Sequence, residues 1–233
     1  MSTFAPRVHP LKEVLRAAST TFGDRSIGGP SSIECVVRAM ARLDVADLPI
    51  VVPDDAYKPA STPEAVKASP RPRPGLGYLA IDDSRKLTVG IFFLPRNSLI
   101  PLHDHLHMTV ASKLLYGTLA VTNYNVLEDP TDAQSVGSRV ELSRSGVLTD
   151  PRDVRVLTAE QGNVHELVAC TDCAVLDVIS PPYSSTRRCQ YYELDDSGER
   201  IMPIDEPADF YVGSVQNEHM VSLLKQLRAD ESE

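Results

Sequence analysis

Pro101-Leu102-His103-Asp104-His105-Leu106-His107-Met108-Thr109-Val110 is the stretch whose reading decides the fold. Read as extended chain, it puts His103 and His105 on one face, because successive side chains of a strand alternate sides. Two imidazoles on one face can grip one ion together. A third lies far along the chain in Gly162-Asn163-Val164-His165, and a neighbouring strand carrying His165 would complete a set of three nitrogens. Three neutral imidazoles leave the full charge of a dication in place, with an open face for a thiolate and dioxygen. Nitrogen ligands with open positions suit Fe(II), Zn, Cu or Ni, and affinity alone does not choose among them.

A lone His-x-His in a strand is more often structural than ligating. The added Gly-x-x-His and the turn glycine Gly117 tip the balance toward a site. One ambiguity of register stays open, since His105 and His107 form a second pair at the same spacing. The pair His103 with His105 is preferred, because Gly117 then falls where the following turn belongs, and His107 becomes a pocket wall.

Of the 233 residues, 32 are acidic and 23 basic, a net charge of −9. The acids gather at 44–55, 129–132 and 195–209, so nothing attracts a polyphosphate, and nucleic acid is not an expected partner. The amino-terminal stretch lacks an apolar core and a small-residue cleavage site, and no apolar run approaches the roughly 18 residues of a membrane span. The expectation is a soluble protein of the cytoplasm, with the nucleus open to it, and no membrane partner. Cys35, Cys170, Cys173 and Cys189 are the four cysteines. Cys170 and Cys173 have C-x-x-C spacing, but no second pair completes a zinc site. Thr171-Asp172 between them reads as a two-residue hairpin turn that sets them opposite each other.

Apolar residues at Leu11, Val14, Leu15 and Ala18 predict a helix over 11–21 that stops at Gly23. A second helix follows a capping box at Ser31-Ser-Ile-Glu34, with Ile33, Val36, Val37, Met40 and Leu43 as its stripe. Packing against the outside of a barrel is the ordinary role for such stripes. Residues 52–74, rich in proline and charge, read as an extended connector. The period then becomes that of strands: 77–82, 87–94, 105–115, 118–125, 139–142, 155–158, 164–169, 174–180 and 190–194. Residues 214–227 close the chain as a surface helix before an acidic end. Many short strands after a helical opening predict a mainly β protein, an antiparallel barrel or jelly roll. The expected division is 1–75 for the helices and connector, 76–213 for the barrel and 214–233 for the last helix and tail.

The histidine spacing is that of a cupin, a double-stranded β-helix with a metal in its barrel. In many cupins a carboxylate joins the histidines; here its expected place, with six residues between it and Gly117, is taken by Val110. More specifically, Pro101-Leu-His-Asp-His105, Met108-Thr-Val, Ser112-Lys-Leu-Leu-Tyr-Gly117, Gly162-Asn-Val-His165, Cys173-Ala-Val-Leu-Asp-Val178 and Pro181-Pro-Tyr-Ser184 resemble the plant cysteine oxidases and their animal relatives, the 2-aminoethanethiol dioxygenases. The resemblance runs from about Gly77 to Glu193.

What it implies is a non-haem Fe(II) thiol dioxygenase, with dioxygen as co-substrate, acting on the amino-terminal cysteine of proteins or peptides. The product is a sulfinic acid, which in that family marks the carrier for arginylation and degradation and so senses oxygen. The alternative is oxidation of cysteamine to hypotaurine. A non-catalytic cupin or a zinc or nickel isomerase is the reading from another class. Carried over by resemblance, His103, His105 and His165 are the metal ligands, while Asp177 and Tyr183 belong to the catalytic pocket. Asp177 lies in an apolar strand, where an unpaired carboxylate is costly, so a partner is expected: a ligand histidine or the substrate's ammonium. Tyr183, at a turn, is placed to donate to bound oxygen. Cys189 and Tyr191 have the spacing at which the animal relatives form a thioether crosslink, although a buried cysteine is usually inert filler. The chain departs from the family at Leu106-His107, where the usual residues are proline and glycine. That departure alters the pocket mouth.

Overall fold

The computed structural model describes residues 8–23, 32–69, 71–127 and 137–229. Two amphipathic helices open it, α1 (Pro10–Phe22) and α2 (Ile33–Arg42). Helix α1 starts on His9, whose Nδ1 accepts from the Leu11 N–H at 3.2 Å, and stops at Gly23. Ser32 is the N-cap of α2 and makes no side-chain cap hydrogen bond; Ser31, on which the expected capping box rests, lies outside the described residues. The connector is not wholly extended. It holds a 3-10 turn at Asp54–Tyr57 and a short helix α3 (Pro63–Lys67), capped by Thr62, and another 3-10 turn at Val45–Asp47 precedes it. Proline at the first helical position supplies a fixed φ and gives up only an N–H that has no helical partner, so prolines start this helix rather than prevent it.

Twelve strands follow: β1 (Leu76–Asp83), β2 (Thr88–Leu94), β3 (Leu99–His103), β4 (Thr109–Tyr116), β5 (Leu119–Val126), β6 (Ser138–Leu148), β7 (Val154–Leu157), β8 (Val164–Ala169), β9 (Cys173–Ser180), β10 (Tyr191–Leu194), β11 (Arg200–Ile204) and β12 (Val212–Ser214). Helix α4 (Glu218–Ala229) ends the described chain, starting four residues later than its periodicity predicts. The first sheet runs β12-β1-β2-β9-β4-β7. The second runs β10-β11-β6-β5-β8-β3 and is closed by the pairing of Tyr191 with His103. The chain crosses between the sheets repeatedly, which makes the protein mainly β, a double-stranded β-helix of the cupin kind with helices outside it.

Alternation along β9 divides the core. Ala174, Leu176 and Val178 face outward and pack with Leu11, Val14, Val36, Met40 and Met220 of the helices. Cys173 and Val175 face inward, against Leu114, Leu119 and Leu167. The helical stripes thus cover the outside of the first sheet, and each fully buried leucine, valine or methionine there contributes about 2 kcal/mol. Among the described residues no helix is long and apolar enough to cross a membrane.

Three strand expectations change. The predicted strand 105–115 begins four residues late: a turn occupies 104–108 and β4 begins at Thr109, while β3, which ends at His103, is a strand the periodicity does not show. His107 has φ +57°, which no strand accommodates. Cys170 and Cys173 do not face each other across a hairpin, because β8 belongs to the second sheet and β9 to the first. The segment between them is a crossing, held where Thr171 Oγ1 accepts from the Thr118 N–H at 2.8 Å. Both cysteines are buried and free. Finally, β11 and β12 escape the periodicity, since their short runs, Arg-Ile-Met-Pro-Ile and Val-Gly-Ser, show no alternation to read. Gly117, at φ +91°, closes the turn from β4 to β5 as expected, and a Cβ there would lie 2.2 Å from the Asp172 carbonyl oxygen.

Candidate metal centre

His103 closes β3, His105 stands in the turn after it, and His165 is the second residue of β8. Strand pairing places His103 directly opposite His165. The pair of histidines is therefore not two residues of one strand face. His105 reaches the same point because the turn folds it back, and this corrects the alternation argument while keeping the residue.

Asn163 makes that turn. Its Oδ1 accepts from the His105 N–H and its Nδ2 donates to the His105 carbonyl, both at 3.0 Å and both buried. Asp104 holds it from the other side. Its carboxylate accepts from the Gln190 N–H at 3.1 Å and from the Tyr192 hydroxyl at 2.9 Å, and its own N–H donates to the Gln190 carbonyl at 3.1 Å. Burial raises the Asp104 carboxyl above its usual range, against these hydrogen bonds. Sequence reasoning missed Asn163 and Asp104. Both were visible as polar residues beside the histidines in otherwise apolar surroundings, but their partners lie 58 and 86 residues away.

The three Nε2 atoms converge. His165 Nε2 is 3.1 Å from His103 Nε2 and 3.1 Å from His105 Nε2, and one nitrogen from each ring falls within 4.8 Å of the others. Hydrogen bonding determines which nitrogen carries the proton. His103 Nδ1 lies 2.8 Å from the Pro101 carbonyl, which can only accept, so that nitrogen donates. The Tyr183 hydroxyl donates to the Asp104 carbonyl at 2.7 Å and so accepts from His105 Nδ1 at 2.9 Å. Both rings therefore present bare Nε2 lone pairs. One proton on His165 can satisfy only one of the two contacts, whereas a dication satisfies all three nitrogens. Burial lowers His103 from 6.5 to about 4 and holds His105 and His165 well below 6.5, these last two also being disfavoured as cations by charge on their imidazole neighbours. Neutral imidazoles are the form that binds metal.

Val110 is fully buried with Met108, Leu157, Ile179 and Tyr183, so no acid completes the set from that position. His107 is exposed on the turn, unlike the three buried imidazoles. Its φ of +57° is one that glycine adopts more readily than a side chain with a Cβ. Tyr183 differs from expectation. Its proton is committed to a backbone carbonyl, and the phenol orients His105 rather than pointing a free donor at oxygen. Cys189 precedes β10 and hydrogen-bonds with the phenols of Tyr183 and Tyr191, while burial pushes its thiol up to about 11. The Tyr191 ring centre is 6.3 Å from that of His103.

Asp177 is buried on the inner face of the first sheet, and its partner is the Ser112 hydroxyl, not an imidazole. Desolvation raises it to about 6, against that hydrogen bond. The two expected duties of Asp177 thus separate: ligand orientation falls to Pro101, Tyr183 and Asn163, and the carboxylate is left facing the interior.

Comparison with known proteins agrees with this picture. Plant cysteine oxidase 1 of Arabidopsis thaliana is 37% identical over 164 residues, 66% of this chain and 54% of that protein. Plant cysteine oxidase 2 of the same plant is 41% identical over 122 residues, 51% of this chain and 44% of that protein. The chain spans about half the length of these two relatives. The mouse 2-aminoethanethiol dioxygenase is 26% identical over 214 residues, 79% of each chain. Among solved structures, a cupin superfamily protein from Desulfitobacterium hafniense aligns with 55% of this chain and 97% of its own at TM-score 0.35 and 13% identity; the fold assignment rests on the strand pairing instead. The profile of the family described as PCO_ADO matches residues 40–227, and with the converging imidazoles inside the cupin barrel this establishes that the chain belongs to that family.

Proposed function

We propose that this chain is a thiol dioxygenase that uses ferrous iron and dioxygen to convert the thiol of an amino-terminal cysteine into a sulfinic acid. The balance is simple: one thiol and one dioxygen give one sulfinic acid, with both oxygen atoms on sulfur. The observation that carries this reading is the convergence of three buried, neutral Nε2 atoms with no carboxylate beside them. Bound iron would supply the redox chemistry at open positions next to the imidazoles. The chain's own part is positional. Pro101, Tyr183 and Asn163 hold the rings, the apolar cluster around Val110 excludes water, and Asp177 offers a desolvated carboxylate to the substrate's ammonium.

The names of the relatives support the substrate class, an aminothiol, without choosing between the cysteine of a protein and free cysteamine. We favour the amino-terminal cysteine because the two Arabidopsis relatives named for cysteine are the more alike in sequence. An oxygen-sensing role in the cytoplasm or nucleus, through degradation of the oxidised protein, is part of the same proposal.

The test is direct. Protein reconstituted with Fe(II) is incubated in air and without it, with a cysteine-initiated peptide, its acetylated form and cysteamine, and products are weighed by mass spectrometry. The expected result is a gain of two oxygen atoms on the free-amine peptide in air alone. Equal oxidation of the acetylated peptide would show that the amine is not recognised, and no oxidation of any aminothiol would end the proposal.

A further inference from the structure

Facing the imidazoles, the inner surface of the first sheet carries a row of polar side chains at one level. Asp177 is paired with Gly90 on one side and Ser112 on the other, and Ser112 is paired with Arg155 on β7. Gly90 leaves room for the Tyr78 phenol, since a Cβ there would come within 2.3 Å of the Tyr78 hydroxyl. On β7, Val154 and Val156 pack outward against the helical cluster while Leu157 packs inward, so Arg155 alternates to the inside.

Arg155 ends this row, with Asp153 as an acidic neighbour whose charge it feels. Its Nη1 is buried and has no hydrogen bond. With Ser112, Asn123 and His165 it borders an interior cavity of about 20 Å³ whose other walls are leucines and valines. That is room for one water-sized group. A guanidinium keeps its charge even when desolvated, so the orphaned N–H calls for an acceptor oxygen.

We propose that Arg155 is the group that selects cysteinyl substrates over simpler aminothiols, receiving in this cavity the carbonyl oxygen attached to the α-carbon. This rests on the function proposed above. A cysteinyl residue offers three handles around its α-carbon: the thiol, one methylene away, for the metal, the ammonium for Asp177 and the carbonyl for Arg155. Cysteamine lacks the third. A peptide presents that oxygen as an amide and free cysteine presents it as a carboxylate.

The test compares wild type with Arg155→Gln and Arg155→Lys on a cysteine-initiated peptide, free cysteine and cysteamine. In Arg155→Gln, kcat/KM is expected to fall about 10–100-fold for the two cysteinyl substrates, as for a lost hydrogen bond to a charged group, and about twofold or less for cysteamine. Arg155→Lys should recover part of the loss for free cysteine. Binding of an unreactive serine-initiated peptide, followed by calorimetry, should weaken about tenfold in Arg155→Gln whether or not turnover occurs. Equal losses on all three substrates would make Arg155 structural, and no loss on any would mean that the cavity holds only water; either overturns the proposal. A wild type inactive on every aminothiol would instead overturn the dioxygenase reading, and the serine-peptide titration would still decide the role of Arg155.

Discussion

The two inner faces of the barrel differ in how completely their polar groups are satisfied. On the second sheet the imidazole segment is anchored, with His103 tied to Pro101, His105 to Tyr183 and its backbone to Asn163, and only the converging Nε2 atoms left bare. On the first sheet Asp177 has one hydroxyl and Arg155 Nη1 has no hydrogen bond. An anchored face holds its geometry before any ligand arrives, as a metal site requires. An under-satisfied face keeps hydrogen-bonding capacity for something that comes later. Under the proposed function, the contrast divides metal retention and substrate reception between the two sheets.

That division can be broken by substitution. The largest effect is expected from His165→Ala, which should leave no detectable iron after gel filtration and no oxygen uptake while the far-UV circular dichroism stays that of a folded barrel; normal oxygen uptake would refute the ligand set. Next comes Asp177→Asn on the opposite face, expected to lower turnover on the order of a hundredfold with iron content unchanged. Parallel loss of iron, measured by elemental analysis, would erase the distinction between the faces. Asn163→Ala leaves the His105 N–H without a partner and its carbonyl with only the Met108 N–H, and should destabilise the protein by about 1–3 kcal/mol in denaturant titrations, with metal affinity lower by about 10-fold. Unchanged affinity would mean that the turn holds its shape without the amide.

The smallest effect concerns pH. The metal-free triad has folded-state values below 6.5, His103 at about 4. Between those limits the unfolded chain binds more protons, so stability is fully present above about pH 6.5 and is lost as pH falls toward about 4. Asp177, raised to about 6, and Asp104, also raised by burial, work in the opposite sense, but two carboxyls oppose three imidazoles. Melting of the metal-free protein should therefore shift downward on acidification through this window, and the metal-loaded protein should shift less until protons displace the metal.

Much of this was legible along the chain, for identifiable reasons. The helical stripes, the strands from β4 to β9 and the inward placement of His165 follow from periods of 3.6 and 2, which are local properties. His105 shows the limit of such reasoning. It was chosen by strand alternation, yet it reaches the triad from a turn, and what places it there is an amide 58 residues away. His107 shows the same limit in reverse, for the spacing that pairs it with His105 holds only in a strand, and its positive φ turns it to solvent.

By itself, the order of residues determined which side chains are candidates: three imidazoles, no acid at Val110, and a barrel built from short alternating runs around them. Only tertiary structure decided which nitrogen of each ring is bare, that Cys170 and Cys173 stand at a crossing between sheets, that Tyr183 serves His105, and that Arg155 Nη1 is left without an acceptor. The physical reason is that alternation and helical period act over a few residues, whereas hydrogen-bond satisfaction is settled by groups brought together from distant strands, and no local pattern records where those partners will be.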